Sequence, residues 1–142
     1  MRRIFIDANI IIDWLNADSK QNELCTQCMS TVISLYNKPF VSPTSIAIVF
    51  YMVGKYYKDK KYVKKVLMKA FSHFMISIED HAIVDAAFES KFIDVEDGIQ
   101  YFSAMRMKAD AIITFNRKDF IEAKIPILHP LEFLQLHNFE NS

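Results

Sequence analysis

Five short apolar, β-prone runs, at residues 3–6, 39–42, 74–78, 111–115 and 125–129, are separated by stretches whose apolar residues recur at helical spacing. Those stretches read as helices at residues 10–15, 22–37, 45–57, 60–72, 82–89, 95–108 and 131–137. Strands that alternate with helices are joined by crossovers, and crossovers place the strands parallel in one sheet. The expected class is α/β with a central, mainly parallel sheet, in a single domain over residues 1–142. A chain of 142 residues, 51% of them hydrophobic, can bury a core of its own.

Several function classes drop out early. No apolar run approaches the roughly 20 residues that span a bilayer. The apolar start, "RRIFID", reaches Asp7 after three apolar residues, too soon for a secretory segment. The expected location is the cytosol, with no membrane partner. Cys25 and Cys28 form a C-x-x-C, but no second pair completes a zinc site, and Leu24, Cys28, Val32 and Leu35 repeat at helical spacing. Both thiols therefore read as helix residues near the core. Lys+Arg and Asp+Glu both total 17, so net charge neither requires nor excludes a polyanionic partner. Clustering says more: seven lysines lie between Lys55 and Lys69, while Asp94, Glu96 and Asp97 sit together elsewhere.

In an α/β sheet the ligand site lies beyond the carboxyl ends of the strands. The polar residues expected there are Asp7, Ser42, Thr44, Glu79, Asp80 and Asn116, joined by Asp94, Glu96 and Asp97 at the start of the helix before the fourth strand. Each group has an ordinary explanation. Asp94 suits an N-cap, Glu96 and Asp97 suit the positive end of a helix, and Asn116 suits a turn. Asp7 is harder to explain, because it ends a core strand with no cation near it in sequence, and a bare carboxylate is expensive to desolvate. Acids brought together repel one another, and a divalent cation removes that cost. Mg²⁺ or Mn²⁺ prefers oxygen ligands and can activate water in phosphodiester hydrolysis. There is no histidine pair at zinc spacing and no G-x-x-x-x-G-K-[ST] loop.

The segments "IFIDANIIID", "SPTSIAIVFYMVGKYY", "DVEDGIQYFSAM" and "DAIITFNRKDF", in that order, resemble a PIN domain, a family of small metal-dependent ribonucleases that includes many bacterial toxins of toxin–antitoxin pairs. The resemblance implies a three-layer α/β/α fold with a central, mainly parallel five-stranded sheet. It implies Mg²⁺ or Mn²⁺ as cofactor and an RNA phosphodiester as substrate. By position, Asp7 matches the family's first acid and Asn9 its polar neighbour. Asp97 matches the later metal-binding acid, with Glu96 and Asp94 as helpers. Asn116 falls where many members carry the last acid. The expected catalytic set is Asp7, Glu96, Asp97 and Asn116, and the expected metal set is Asp7, Asp94, Glu96 and Asp97. Thr114 and Asp119 lie nearby. The chain departs from the family at two positions: Ile48 stands where a Glu is usual, and Asn116 is neutral.

The stretch "YMVGKYYKDKKYVKKVLMKAFSHF" mixes lysines with tyrosines, which suits phosphate contact and base stacking. Asn9, Thr114, Lys55 and Lys58 are the expected substrate contacts. An exposed lysine-rich helical hairpin is the plainer reading. The apolar surplus on residues 46–53 could feed a homodimer or an antitoxin interface. Two other classes compete with a ribonuclease. One is a PIN-like module that binds RNA or a protein without turnover, which Ile48 and Asn116 favour. The other is a phosphoacceptor domain, which would want an acid adjacent to Asp7 and a lysine after the last strand; this chain has His129 and Pro130 there.

Overall fold

The computed structural model describes residues 2–36 and 38–140, with side chains as far as His137. Strands β1 (Ile4–Ile6), β2 (Phe40–Val41), β3 (Met75–Ile76), β4 (Ala111–Ile113) and β5 (Ile127–Leu128) form one sheet of order β3-β2-β1-β4-β5. Every neighbouring pair is parallel. The connecting helices are α1 (Ala8–Leu15), α2 (Asn22–Leu35), α3 (Pro43–Tyr57), α4 (Lys60–Phe71), α5 (His81–Glu89), α6 (Val95–Arg106) and α7 (Pro130–Glu140), with a 3₁₀ turn at Arg117–Phe120. The helix read at residues 22–37 ends at Leu35, and Asn37 lies outside the described residues. Helix α3 begins two residues earlier than its apolar periodicity indicates. Pro43 fits a first turn, and the Ser42 hydroxyl caps the helix by accepting the Ser45 N–H at 3.1 Å.

The alternation of side chains along each strand builds the three layers. Ile4, Ile6, Val41, Ala111 and Ile113 face one side, where they pack with Ile10, Met29, Val32, Val49, Leu67 and Phe133 from α1, α2, α3, α4 and α7. Phe5, Phe40 and Ile112 face the other, where they meet Phe92, Phe120 and the α6 residues Tyr101 and Ala104. Helix α5 packs on α6. Cys25 and Cys28 are buried in α2, and burial pushes both thiols up to about 12, where a thiol stays protonated and inert. No helix among the described residues is long and apolar enough to cross a membrane.

The sheet order positions the site. The chain winds outward from β1 through β2 to β3, then returns to the far side of β1 to form β4 and β5. The switch point therefore falls between the carboxyl ends of β1 and β4, where α/β sheets open a crevice for ligands.

Candidate functional site

Asp7 and Thr114 flank that switch point, one directly after β1 and one directly after β4. The Asp7 N–H donates to the Ile113 carbonyl at 3.0 Å, so the two strand ends are laced together at this level. Asp7 also stands at the N-cap of α1, yet its carboxylate closes no capping hydrogen bond. Other aspartates at helix starts do close one: Asp59 on α4, Asp80 on α5 and Asp94 on α6. Instead the Thr114 hydroxyl donates to Asp7 Oδ2 at 2.6 Å and accepts the Asn116 N–H at 3.0 Å. Only 4% of Asp7 is exposed. Burial pushes its carboxyl above the ordinary range, opposed first by Thr114, then by the nearby Gln100 amide and the Ala8 and Asn9 N–H groups.

Helix α6 brings the second acid. Asp94 caps it through the Glu96 N–H at 2.8 Å, which commits one of its oxygens to the backbone. Asp97 follows in the first turn, half-buried. Its carboxyl is pushed up to about 7, chiefly by burial and then by the charges of Asp94, Asp7, Asp119 and Glu96. Glu96 is exposed and is raised by desolvation, then by Asp94 and Asp7. Gly98 seats this turn closely against α5, since a Cβ there would lie 3.2 Å from that of Ala87. Acids from three separate segments thus act on one another at the switch point.

Two grooves open beside them. One, of about 630 Å³, is lined by Phe115, Asn116, Arg117, Lys118, Asp119 and His129. The other, of about 300 Å³, runs past Asp94, Asp97, Lys91, Lys118 and Asp119. Besides Arg117, the cationic residues in these walls are Lys118 and Lys91, neither of which the sequence singled out. Arg117 is held at 2.7 Å by Glu132.

Some expected residues go elsewhere. Glu79 accepts from the Thr44 N–H and hydroxyl, at 2.9 and 2.5 Å, and so caps α3. Asp80 caps α5 and pairs with Arg106 at 2.9 Å. Lys55 and Lys58 lie at the opposite end of the 15-residue α3 from Ser42, roughly 20 Å along the helix axis, in a separate groove with Phe50 and Tyr51. Ile48 packs against the larger core cluster. Asn9 is exposed two residues past Asp7 and Asn116 is exposed in the wall of the larger groove, whereas Thr114, expected at the substrate, is fully buried with its one proton on Asp7. Thr114→Val should therefore destabilise the fold by about 1–3 kcal/mol, because Asp7 loses a donor and the Asn116 N–H an acceptor. Thr114→Ser should be nearly neutral, and urea denaturation of both variants checks this.

Among the described residues, no three Asp, Glu, His or Cys side chains close on a common point as a ready-made metal cage. Mg²⁺ and Mn²⁺ do not need one, since such ions are commonly held by one or two carboxylates with water completing the shell. The donors here are carboxylates, which suit a hard cation. Beside them the buried Gln100 amide leans on Asp7 without closing a full hydrogen bond, and its Oε1 meets no donor, so the corner has unmet capacity for a polar guest. The residues fit a hydrated divalent ion.

A PIN-domain family profile matches residues 3–118. The chain belongs to the PIN-domain family. PIN domains are known as ribonucleases, many of them toxins, and members generally depend on a divalent metal. Solved PIN-type structures share the fold at low identity. VapBC2 of Rickettsia felis, solved bound to a promoter DNA fragment, is 16% identical over 89% of this chain and 98% of that one, with a TM-score of 0.68. A toxin–antitoxin complex of Klebsiella pneumoniae is 21% identical over 89% and 97%, with a TM-score of 0.67. The sarcin–ricin loop cleaving toxin VapC20 of Mycobacterium tuberculosis is 9% identical over 77% and 86%, with a TM-score of 0.63. Among curated proteins, none matches this PIN domain by sequence.

Proposed function

We propose that this PIN domain is a Mg²⁺- or Mn²⁺-dependent ribonuclease that acts as the toxin of a toxin–antitoxin pair. The meeting of Asp7 and Asp97 at the switch point carries the reading, because a buried acid and a half-buried one, with no cationic side chain among the described residues offsetting either, call for a metal ion. Asp7 and Asp97 would hold the ion directly, Asp94 and Glu96 would add charge, and Asn116 would offer a neutral oxygen. When bound, the ion supplies a water of lowered pKa and charge stabilisation at the phosphate. The Thr114 hydroxyl keeps the Asp7 carboxylate aimed, and Lys118, which lines both grooves, would meet a phosphate backbone, with the exposed Asn9 as a further contact. Lys91 extends that path, and Lys55 and Lys58 would meet only a strand long enough to reach the far groove.

The test is incubation of the purified protein with single-stranded RNA. Cleavage should appear with Mg²⁺ or Mn²⁺, vanish with a chelator, and weaken steeply as salt rises. Absence of cleavage with either metal would reject the reading. The toxin role further expects an antitoxin protein, as in the Klebsiella complex, and the exposed Tyr51 and Met52 on α3 offer apolar area for it or for a second copy. Co-expression with a neighbouring small reading frame should then yield an inactive complex. One observation favours a module that binds RNA or protein without turnover: α3 carries apolar Ile48, packed toward the core, where the family usually has an acid. That alternative expects salt-sensitive RNA binding with no metal-dependent product.

A further inference from the structure

Among the described residues, buried polar side chains close hydrogen bonds, with one exception. Ser42 and Ser45 bond each other, Ser77 and Ser103 do the same, and Thr114 holds Asp7. The deeply placed His137 bonds Tyr36 and the Phe133 carbonyl. Gln100 is only 1% exposed, yet neither its Nε2 nor its Oε1 closes a hydrogen bond. A buried carboxamide left unbonded on both sides is expensive, and folded proteins rarely keep one without a use.

Its position indicates the use. Gln100 stands one helical turn beyond Asp97 on α6, so the two share a face of the helix. Its neighbours on that buried face, Tyr101, Ser103 and Ala104, are core residues with their polar atoms satisfied or absent. It also lies beside the Asp7 carboxyl, where its amide acts as a weak hydrogen-bond donor that favours the charged form, short of the geometry of a closed bond. The amide therefore lies beside Asp7 and one turn along α6 from Asp97, with donors suited to Asp7 and an acceptor suited to water. Water bound to a divalent cation is a strong donor and needs such an acceptor.

We propose that Gln100 is a positioning residue of the metal corner, its Nε2 steadying Asp7 while its Oε1 would accept a hydrogen bond from a water of the hydrated cation. This rests on the metal-site reading above and names a residue that the acids alone do not reveal. It also explains how a corner lacking an acid at Ile48 would retain an ion, since a neutral amide helps order the hydration shell without adding repulsion.

The experiment measures Mn²⁺ binding by calorimetry and metal-free thermal melting for wild type, Gln100→Met and Gln100→Glu. Methionine keeps the length of the side chain and removes both polar ends. Gln100→Met should bind Mn²⁺ about ten- to a hundredfold more weakly, while its metal-free melting temperature holds or rises because the unmet amide is gone. Gln100→Glu keeps an acceptor and should hold Mn²⁺ within a few-fold of wild type while melting lower without metal. If Gln100→Met binds Mn²⁺ like wild type, or loses affinity only together with melting temperature, the inference is overturned and Gln100 is a packing residue. If wild type itself binds no Mn²⁺, the metal-site reading falls first and takes this one with it.

Discussion

Asp7→Asn should lower metal-dependent RNA cleavage by about a thousandfold or more, while the fold persists. Asparagine fills nearly the same volume and can still accept the Thr114 hydroxyl, so the strand end should keep its geometry. What it lacks is the charge that would hold the ion, and a metal contributes several kcal/mol to such a reaction. The same change should raise metal-free stability at neutral pH. Asp7 is desolvated, so its folded-state pKa is raised; its contribution to stability starts to fall at the ordinary carboxylate pKa and is fully lost once the pH passes the raised folded value. Single-turnover cleavage and thermal melts on one preparation separate the two effects. Lost activity with a lowered melting temperature would mean a damaged fold instead of a missing ligand.

Asp97 sets the second large effect. Its carboxyl moves from an ordinary 3.8 to about 7 in the metal-free fold. The folded state therefore holds a proton that the unfolded chain has released across this window. The contribution to stability is full below about pH 4 and is lost as pH rises through about 7. Unscreened, a shift of this size would equal about 4 kcal/mol; Asp97 is only half-buried, so about 1–2 kcal/mol should remain. Urea denaturation at pH 5 and pH 7.5 without metal should show more than half of that loss, and Asp97→Asn should shrink it to the share carried by Asp7 and Glu96. Saturating Mn²⁺ should reverse the trend, because bound metal requires the deprotonated acid and adds stability by mass action. An unchanged slope in Asp97→Asn would show that other groups carry the pH dependence.

The strands were legible because each is a short apolar run that little else could explain, and every expected strand is present near its expected place. Their spatial order was not, since which strand sits at the centre is decided by packing between distant segments. That order matters, because it puts Asp7 and Thr114 side by side across a switch point. Asp7 stood out in sequence as a carboxylate at the end of a core strand, and Asp97 as an acid in a first helical turn. Glu79 and Asp80 looked similar on paper; both have local backbone or arginine partners that only the fold reveals. Gln100 gave the weakest signal of all. A glutamine in a helix ordinarily reads as a solvent-facing residue, and the sole hint was its place among Tyr101, Ser103 and Ala104 on a buried face. The lysines divide: their density draws notice to α3 and α4, while Lys118 beside Asp119 lies in the grooves next to the acids.

The central claim is that the switch-point acids hold one divalent cation, and Mn²⁺ binding tests it most directly. Calorimetric titration at pH 7.5, repeated by electron paramagnetic resonance, should find one site on wild type with an all-oxygen environment. The site should weaken by at least about tenfold in Asp97→Asn and disappear in Asp7→Asn. No binding to wild type, or equal binding to all three proteins, would contradict the claim.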